Sequence, residues 1–108
     1  MSYSILPTRK FSKEIKRLIK KYPSLKKEFA NLVAHLSENP TTGTSLGENC
    51  YKIRLAISSK NKGKSGGARI ITYLILNDKS VFLLTIYDKA EKLTVTEKEL
   101  KAIIKEIK

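Results

Sequence analysis

The fold is decided by residues 68–87, which read ARIITYLILNDKSVFLLTIY. Two runs, 68–76 and 81–87, flank the turn-forming residues Asn77, Asp78 and Lys79, and this pattern predicts a β-hairpin. Both runs are apolar at nearly every position, as in strands that are covered on both faces. We therefore expect two central strands of a sheet, with structure packed against each side of it.

The strand before this β-hairpin has an alternating pattern. In residues 51–58, YKIRLAIS, the large apolar side chains alternate with Lys52, Arg54, Ala56 and Ser58. Successive side chains of a strand point to opposite faces of the sheet. Burial of the apolar set therefore places Lys52 and Arg54 together on the other face.

The N-terminal third predicts two helices. Thr8 offers a helix cap, and an apolar stripe of 3.6-residue period follows it until Pro23. Ser24 offers a second cap, followed by a second stripe that Asn39 and Pro40 end. The stripes consist of Phe11, Ile15, Leu18, Ile19 and Tyr22, and of Leu25, Phe29, Leu32, Val33 and Leu36. Two helices joined this tightly form a helical hairpin whose apolar stripes need a sheet to cover.

The remaining segments complete one α+β domain over residues 1–108. Tyr3 and Ile5 alternate as in a short first strand, and residues 41–48 are predicted to be a loop. Thr96 and Glu99 have capping-box spacing before a short C-terminal helix with a stripe at Leu100, Ile103, Ile104 and Ile107. We expect the N-terminal helical hairpin to pack on a small antiparallel β-sheet.

Length and composition exclude several classes of protein. The chain has 108 residues, of which 41% are hydrophobic and 30% charged, as in one globular domain. No apolar run approaches the ~18 residues of a membrane-spanning helix. The single cysteine, Cys50, can form neither an internal disulfide nor a zinc site by itself. We expect a soluble, cytoplasmic protein that does not act at a membrane.

The charge balance points to a polyanionic partner. The chain has 22 Lys and Arg residues against 10 Asp and Glu residues, a formal net charge of +12. Residues 52–69 contain six basic residues and no acidic one: Lys52, Arg54, Lys60, Lys62, Lys64 and Arg69. These cations are suited to cradling phosphates. The alternative is a solvated basic segment that protects an edge strand from aggregation.

The residues available limit the chemistry at such a site. Acidic residues are sparse, His35 is the only histidine, and no carboxylate pair has ligand spacing in a strand or loop, so we expect neither a metal nor a cofactor. RNA suits a site of Lys, Arg and Tyr, because its 2′-hydroxyl is an internal nucleophile. Tyr87 is the candidate tyrosine, and we expect crowding by cations to lower its pKa. The alternative is that Tyr87 only seals the edge of the core.

The geometry of this site depends on the turn of the β-hairpin. A three-residue loop with Leu76 opposite Ser80 would pair Arg69 with Tyr87 on one face. A two-residue turn would shift the strands by one residue and separate the two side chains. The sequence is compatible with both arrangements.

Three motifs give the chain its resemblance to a known family. They are Cys50–Leu55 (CYKIRL), Gly63–Ile71 (GKSGGARII) and Leu83–Glu91 (LLTIYDKAE), in this order after a helical hairpin. The chain resembles the RelE/ParE superfamily of bacterial toxins from type II toxin-antitoxin systems, and within it the RelE/HigB-like ribonuclease branch. The resemblance implies an mRNA endonuclease that inhibits translation in the ribosomal A site and is neutralised by a cognate antitoxin.

The resemblance also implies roles for single residues. Lys52 and Arg54 match the basic pair on the family's second strand, and Arg69 matches the arginine credited with stabilising the transition-state phosphate. Lys62 and Lys64 match the basic loop of the HigB-like branch.

The last motif adds two further residues. Tyr87 and Lys89 match the family's Ile-Tyr-x-Lys pattern, with Glu91 as a structural partner. The chain departs from the RelE archetype at Ala90, where that archetype has an arginine, and near Val95, where it has a tyrosine. The resemblance therefore leaves the general base and acid open among Lys52, Lys62, Lys64 and Tyr87.

These observations lead to a hypothesis and two alternatives. We expect a metal-free ribonuclease toxin that binds mRNA and ribosomal RNA, with Lys13 and Lys20 of the first helix, Lys60 and Lys89 as further RNA-binding residues, and with an acidic antitoxin as partner. One alternative is a ParE-like toxin that acts on DNA gyrase through protein contacts and cuts no RNA. The other is an RNA-binding module without catalysis, which the scarcity of aromatic residues for base stacking disfavours.

Overall fold

The computed structural model describes residues 2–59, 67–92 and 94–107, and in them a mixed α+β fold. In chain order the elements are β1 (Ser4–Pro7), α1 (Arg9–Lys21), α2 (Leu25–Glu38), β2 (Thr44–Gly47), β3 (Cys50–Leu55), β4 (Ala68–Ile75), β5 (Ser80–Asp88) and α3 (Glu97–Ile107). The predicted helical hairpin, β-hairpin and C-terminal helix are all present. None of the helices described is long and apolar enough to cross a membrane.

The strands form one sheet in the order β1-β5-β4-β3-β2. The pairs β2–β3, β3–β4 and β4–β5 are antiparallel, as predicted. β1 instead lies parallel to β5, because the chain passes through the whole helical hairpin and β2–β4 before β5 returns beside it. The two strands of the fold-deciding segment are the centre of the sheet, and β1 and β2 are its edges.

The helical hairpin covers one face of the sheet. Four of its stripe residues, Phe11, Leu18, Leu25 and Leu36, are fully buried. They pack in one cluster with strand residues Ile53, Ala68, Ile70, Leu83 and Ile86. Full burial of one such side chain contributes about 1.5–3 kcal/mol to stability. Because this cluster contains more buried side chains than the cluster on the other face, it contributes most of the apolar stabilisation.

The C-terminal helix covers part of the other face. Ile103 of α3 is 7% exposed and packs in a second cluster with Cys50, Ile71, Leu84 and Tyr87. The predicted capping box is formed: the Thr96 N–H donates to Glu99 Oε1 at 2.9 Å, and the Glu99 N–H donates to Thr96 Oγ1 at 3.1 Å. The expectation that β4 and β5 are covered on both faces is therefore confirmed.

Two predictions about the strands were wrong. Residues 41–48 are not only loop, because Thr44–Gly47 pairs with β3 and forms the edge strand β2. Positive φ angles at Glu48 and Asn49 allow the tight reversal between these two strands, and the polar sequence concealed it. Strand β3 ends at Leu55, although Ile57 beyond it is buried.

The predicted cap at Ser24 is also absent, whereas the cap at Thr8 is formed. Thr8 Oγ1 accepts from the Phe11 N–H at 3.1 Å. Ser24 has helical φ and ψ angles and makes no side-chain cap bond. Its hydroxyl instead bonds Ser59 Oγ at 2.7 Å and Glu28 Oε1 at 3.1 Å. These bonds tie the start of α2 to the segment that follows β3.

Candidate functional site

Three predicted site residues lie in one row across the sheet. Arg54 on β3 pairs with Arg69 on β4, and Arg69 pairs with Tyr87 on β5. Directly opposite residues of antiparallel strands share a face, with Cβ atoms about 4.5–5.5 Å apart. The row therefore brings two guanidinium groups and a phenol together on the face that α3 partly covers.

The loop that makes this row possible differs from both predicted turns. Ile75 pairs with Ser80, so the connection has four residues and not two or three. That register would place Arg69 opposite Ile86. A β-bulge corrects it, because Thr72 pairs with Leu83 and Ile71 with Thr85, leaving Leu84 as the extra residue.

Arg69 is the least solvated cation of the row. Its residue exposure is 8%, and its guanidinium donates to the Ala68 carbonyl oxygen at 3.3 Å. Across the described ranges, no carboxylate lies within 4.0 Å of Lys52, Arg54 or Arg69. A buried cation without a counter-charge is costly. This part of the sheet therefore favours an anion such as a phosphate.

Tyr87 lies beside Arg69 but is packed under α3. It is 6% exposed, and its buried hydroxyl makes no hydrogen bond of good geometry among the described residues, although the Thr94 side chain lies near enough to interact weakly with it. Burial raises the pKa of Tyr87, and the Arg69 charge opposes that shift without overcoming it. The expectation of a lowered pKa was wrong, because removal from water outweighs the neighbouring cation.

Two lysines flank the row. Lys52 is half-buried on β3 opposite Ile71, two residues from Arg54 and on the same face. Lys89 follows β5, and its N–H donates to the Gly67 carbonyl oxygen at 3.2 Å. That bond places the backbone of Lys89 beside the start of β4, close to Arg69.

Other predicted residues are not brought into the row. Lys13 and Lys20 are exposed on α1, which packs on the opposite face of the sheet, so they form a separate surface. Lys60, Lys62 and Lys64 lie outside the described residues.

Two residues near the site, Glu14 and Asp88, could not be singled out from sequence patterns. Glu14, the only acidic residue of α1, accepts at Oε1 from the Thr85 hydroxyl at 2.7 Å and from the Ile86 N–H at 3.2 Å. Asp88 is 1% exposed and accepts from the Tyr22 hydroxyl at 2.9 Å and from the Ala90 N–H at 2.9 Å. A single carboxylate within a basic helix was the one available signal for Glu14.

Glu91 has the structural role that the family motif implied. Its carboxylate pairs with Arg17 of α1 at 2.8 Å and with Lys21 at 3.3 Å. Hydrogen bonding from Arg17 lowers the pKa of Glu91. These contacts attach the segment after Tyr87 to the helical hairpin.

Metal and thiol chemistry have little support in the described residues. No group of three His, Cys, Asp or Glu side chains among them is arranged to hold a metal ion. Cys50 is buried, and burial raises the pKa of its thiol, which leaves it a packing residue. His35 is exposed on α2.

The fold and the row of Arg54, Arg69 and Tyr87 together define a class of protein. A small, strongly basic α+β domain with an arginine pair on one sheet face has the charge and geometry that suit an anionic ligand. The family model described as the RelE toxin of the RelE/RelB toxin-antitoxin system matches residues 5–108. The chain therefore belongs to the RelE toxin family and is a toxin of a toxin-antitoxin system.

Two solved structures share the fold. One is a doubly substituted mutant of the E. coli toxin RelE in the free state, with a TM-score of 0.63 and 17% identity over 100% of each chain. The other is the intact E. coli RelBE toxin-antitoxin complex, with a TM-score of 0.59 and 20% identity over 79% of this chain and 94% of that chain. At these identities the match shows the fold alone. The choice of site residues rests on the geometry of this structure.

Proposed function

We propose that this toxin is a ribosome-dependent mRNA endonuclease that stops translation by cutting mRNA in the ribosomal A site. The observation that carries the proposal is the row of Arg54, Arg69 and Tyr87, in which two guanidinium groups lack a carboxylate partner in the described structure. Two guanidinium groups side by side suit the oxygens of one phosphodiester. Membership of the RelE toxin family agrees with this substrate class.

The proposed reaction uses the RNA's own nucleophile. The 2′-oxygen loses its proton and attacks the neighbouring phosphorus, the bond from phosphorus to the 5′-oxygen breaks, and that oxygen takes up a proton. The products are a 2′,3′-cyclic phosphate and a free 5′-hydroxyl. Arg54 and Arg69 hold the phosphate and neutralise the charge that develops on its oxygens.

The choice of residues for the two proton transfers can be narrowed. Because its pKa is raised, Tyr87 keeps its proton at neutral pH and is suited to donate to the leaving 5′-oxygen and not to act as base. Its hydroxyl is buried under α3, so RNA reaches it only when that packing opens. Lys52 lies two residues from Arg54 on the same face and, with Lys62 and Lys64, is a candidate for the other proton transfer.

We further propose an acidic antitoxin as the protein partner. The net charge of +12 and the uncompensated arginines of the row favour a partner whose carboxylates cover part of the site. The proposed RNA partners are the mRNA and the ribosomal RNA, with Lys89 beside the row and Lys13 and Lys20 on α1 as contacts.

The test is primer extension on a defined mRNA in programmed ribosomes, with free mRNA alongside. We compare the native protein with Arg69→Met, which keeps the apolar stem that packs in the sheet, and with Arg9→Ala, which removes an exposed arginine elsewhere. Loss of one donor to a transition-state phosphate lowers rates by about 10²–10³. We expect A-site cuts with the native protein and Arg9→Ala, and a loss of this size with Arg69→Met.

Each other result changes the proposal in a defined way. Cuts in free mRNA as well would keep the chemistry and remove the ribosome requirement. Intact mRNA in every lane, from folded protein, would contradict the proposal and favour a ParE-like toxin, which a gyrase assay would then test. Cleavage by Arg69→Met at the native rate would show that the reaction does not depend on Arg69, and the catalytic site would then lie outside the row.

A further inference from the structure

The β5 bulge is the feature that brings Tyr87 opposite Arg69. The four-residue connection sets the register at the start of β5, and Leu84 shifts it by one residue for everything that follows. A one-residue shift moves side chains to the opposite face of a sheet. Without the bulge, Ile86 would stand opposite Arg69, and Tyr87 would face the helical hairpin.

A bulge leaves backbone groups without their regular ladder partners. This one begins where the neighbouring strand β1 ends, since the last β1–β5 pair is Pro7 with Leu83. The β1 side of β5 therefore offers no strand for residues 84–86 in the described structure. Those groups need other partners to remain buried.

The first turns of α1 supply these partners. Thr8 Oγ1 lies 3.0 Å from the Leu83 carbonyl oxygen and 3.1 Å from that of Leu84, and the Thr8 N–H donates to the Leu83 carbonyl at 3.1 Å. Glu14 Oε1 accepts from the Thr85 hydroxyl at 2.7 Å and from the Ile86 N–H at 3.2 Å. Thr8 and Glu14 thus bind four consecutive residues that span the bulge.

Each of these two residues is itself held in place. Thr8 caps α1 by accepting from the Phe11 N–H, so its orientation is tied to the helix start. Glu14 Oε2 accepts from Lys10 Nζ at 2.7 Å, which leaves Oε1 directed at β5. The helix and the bulge therefore fix one another.

We propose that Thr8 and Glu14 are positioning residues that hold the β5 bulge and thereby fix Tyr87 opposite Arg69. Neither touches the substrate in this proposal, and both act from the helical-hairpin side of the sheet. The link to catalysis rests on the proposed nuclease function, but the effect on strand register does not.

The experiment compares Glu14→Ala, Glu14→Gln and Thr85→Val with the native protein. Glutamine keeps an oxygen acceptor, and valine keeps the shape of threonine without its hydroxyl. The first readout is the cross-strand nuclear Overhauser effect between Arg69 and Tyr87, and between Arg69 and Ile86. The second is the split of kcat and KM for mRNA cleavage on programmed ribosomes. Glu38→Ala, which removes an exposed carboxylate of α2, is the matched control for charge.

We expect Glu14→Ala to weaken the Arg69–Tyr87 signal, to produce an Arg69–Ile86 signal, and to lower kcat at least tenfold with little change in KM. Glu14→Gln should restore most of both readouts. Thr85→Val should change both in the same direction by a smaller amount and serves as the deciding variant if Glu14→Ala does not fold. Glu38→Ala should behave as the native protein.

Two results would overturn the inference. One is a Glu14→Ala or Thr85→Val protein that keeps the Arg69–Tyr87 signal and the native kcat. The other is an equal loss in Glu14→Gln and Glu14→Ala, which would assign the effect to charge and not to hydrogen-bond acceptance. If the native protein cuts no RNA, the proposed function fails, and the register signal alone decides this inference.

Discussion

Arg69 and Tyr87 show how the environment of a residue sets what it can do. Arg69 is almost buried and has no carboxylate partner within the described residues, so an incoming phosphate would supply its missing counter-charge. Tyr87 is equally buried and retains its proton. Neither property can be read from the residue type alone.

The Tyr87 hydroxyl gives a prediction that separates stability from activity. A buried hydroxyl that makes no hydrogen bond of good geometry costs free energy, so Tyr87→Phe should unfold at the same temperature as the native protein or higher. If the hydroxyl donates a proton in the reaction, cleavage should fall by about 10²–10⁴. Thermal unfolding and single-turnover cleavage measure the two effects. Full activity in Tyr87→Phe would make Tyr87 a packing residue only.

The raised pKa of Tyr87 also predicts its titration. Tyrosine ionisation followed by absorbance near 295 nm should contain one component above the ordinary value near 10 that is absent in Tyr87→Phe. A component below that value that is lost in Tyr87→Phe would contradict this prediction. It would show that the neighbouring cations lower the pKa of Tyr87.

At the scale of elements, the sheet is shaped by what α1 and α3 place on its two faces. The helical hairpin seals one face with an apolar cluster, whereas α3 covers the other face with Ile103 as its buried contact. The site row lies on the face with less cover. Because α3 covers that face, the bonds that fix the start of α3 also influence the surroundings of the site row.

The capping box of α3 predicts a pH dependence. The Lys92 ammonium at 2.5 Å and the Thr96 N–H lower the pKa of Glu99 from 4.5 to about 2. Because the folded pKa is depressed, the stabilisation is present above pH 4.5 and is lost as the pH falls towards 2. Glu99→Gln should therefore flatten the fall of unfolding temperature between pH 4.5 and pH 2.

The control for this prediction is Glu106→Gln, which changes an exposed carboxylate on the same helix. Its unfolding temperature should follow the native curve. If the curve for Glu99→Gln runs parallel to the native curve, the capping box does not contribute the expected pH dependence.

At the scale of the whole molecule, charge is the dominant property. The positive charge lies on both sides of the sheet, in the row and on α1, so two surfaces can engage phosphates. Ribosome binding should weaken steeply with salt, because each neutralised phosphate releases counterions.

This property predicts the effect of removing cations far from the row. The double variant Lys13→Ala, Lys20→Ala should weaken ribosome binding and reduce the slope of log K against log salt concentration by about 2. Filter binding at several salt concentrations measures the slope. The double variant Lys98→Ala, Lys105→Ala makes the same charge change on α3 and should leave the slope nearer its native value. Equal reductions in both would assign the effect to net charge and not to an α1 surface.

Most of the helices and strands could be predicted from the amino-acid order, because an amphipathic helix or a buried strand depends on local periodicity. The stripes of α1 and α2, the alternation around Lys52 and Arg54, and the capping box at Thr96 were all readable along the chain. The family motifs identified the arginines and the tyrosine of the row. Strand β2 was not predicted because its four exposed residues include one large apolar side chain, Leu46, and therefore carry no alternating hydrophobic pattern.

The way in which these residues meet depends on contacts in the folded chain. The pairing of Arg69 with Tyr87 depends on a loop length and on a compensating bulge, and the bulge depends on Thr8 and Glu14, more than 70 positions away along the chain. The pKa of Tyr87 likewise depends on cover from α3. Register and burial arise from contacts between distant segments, and local sequence patterns do not record such contacts.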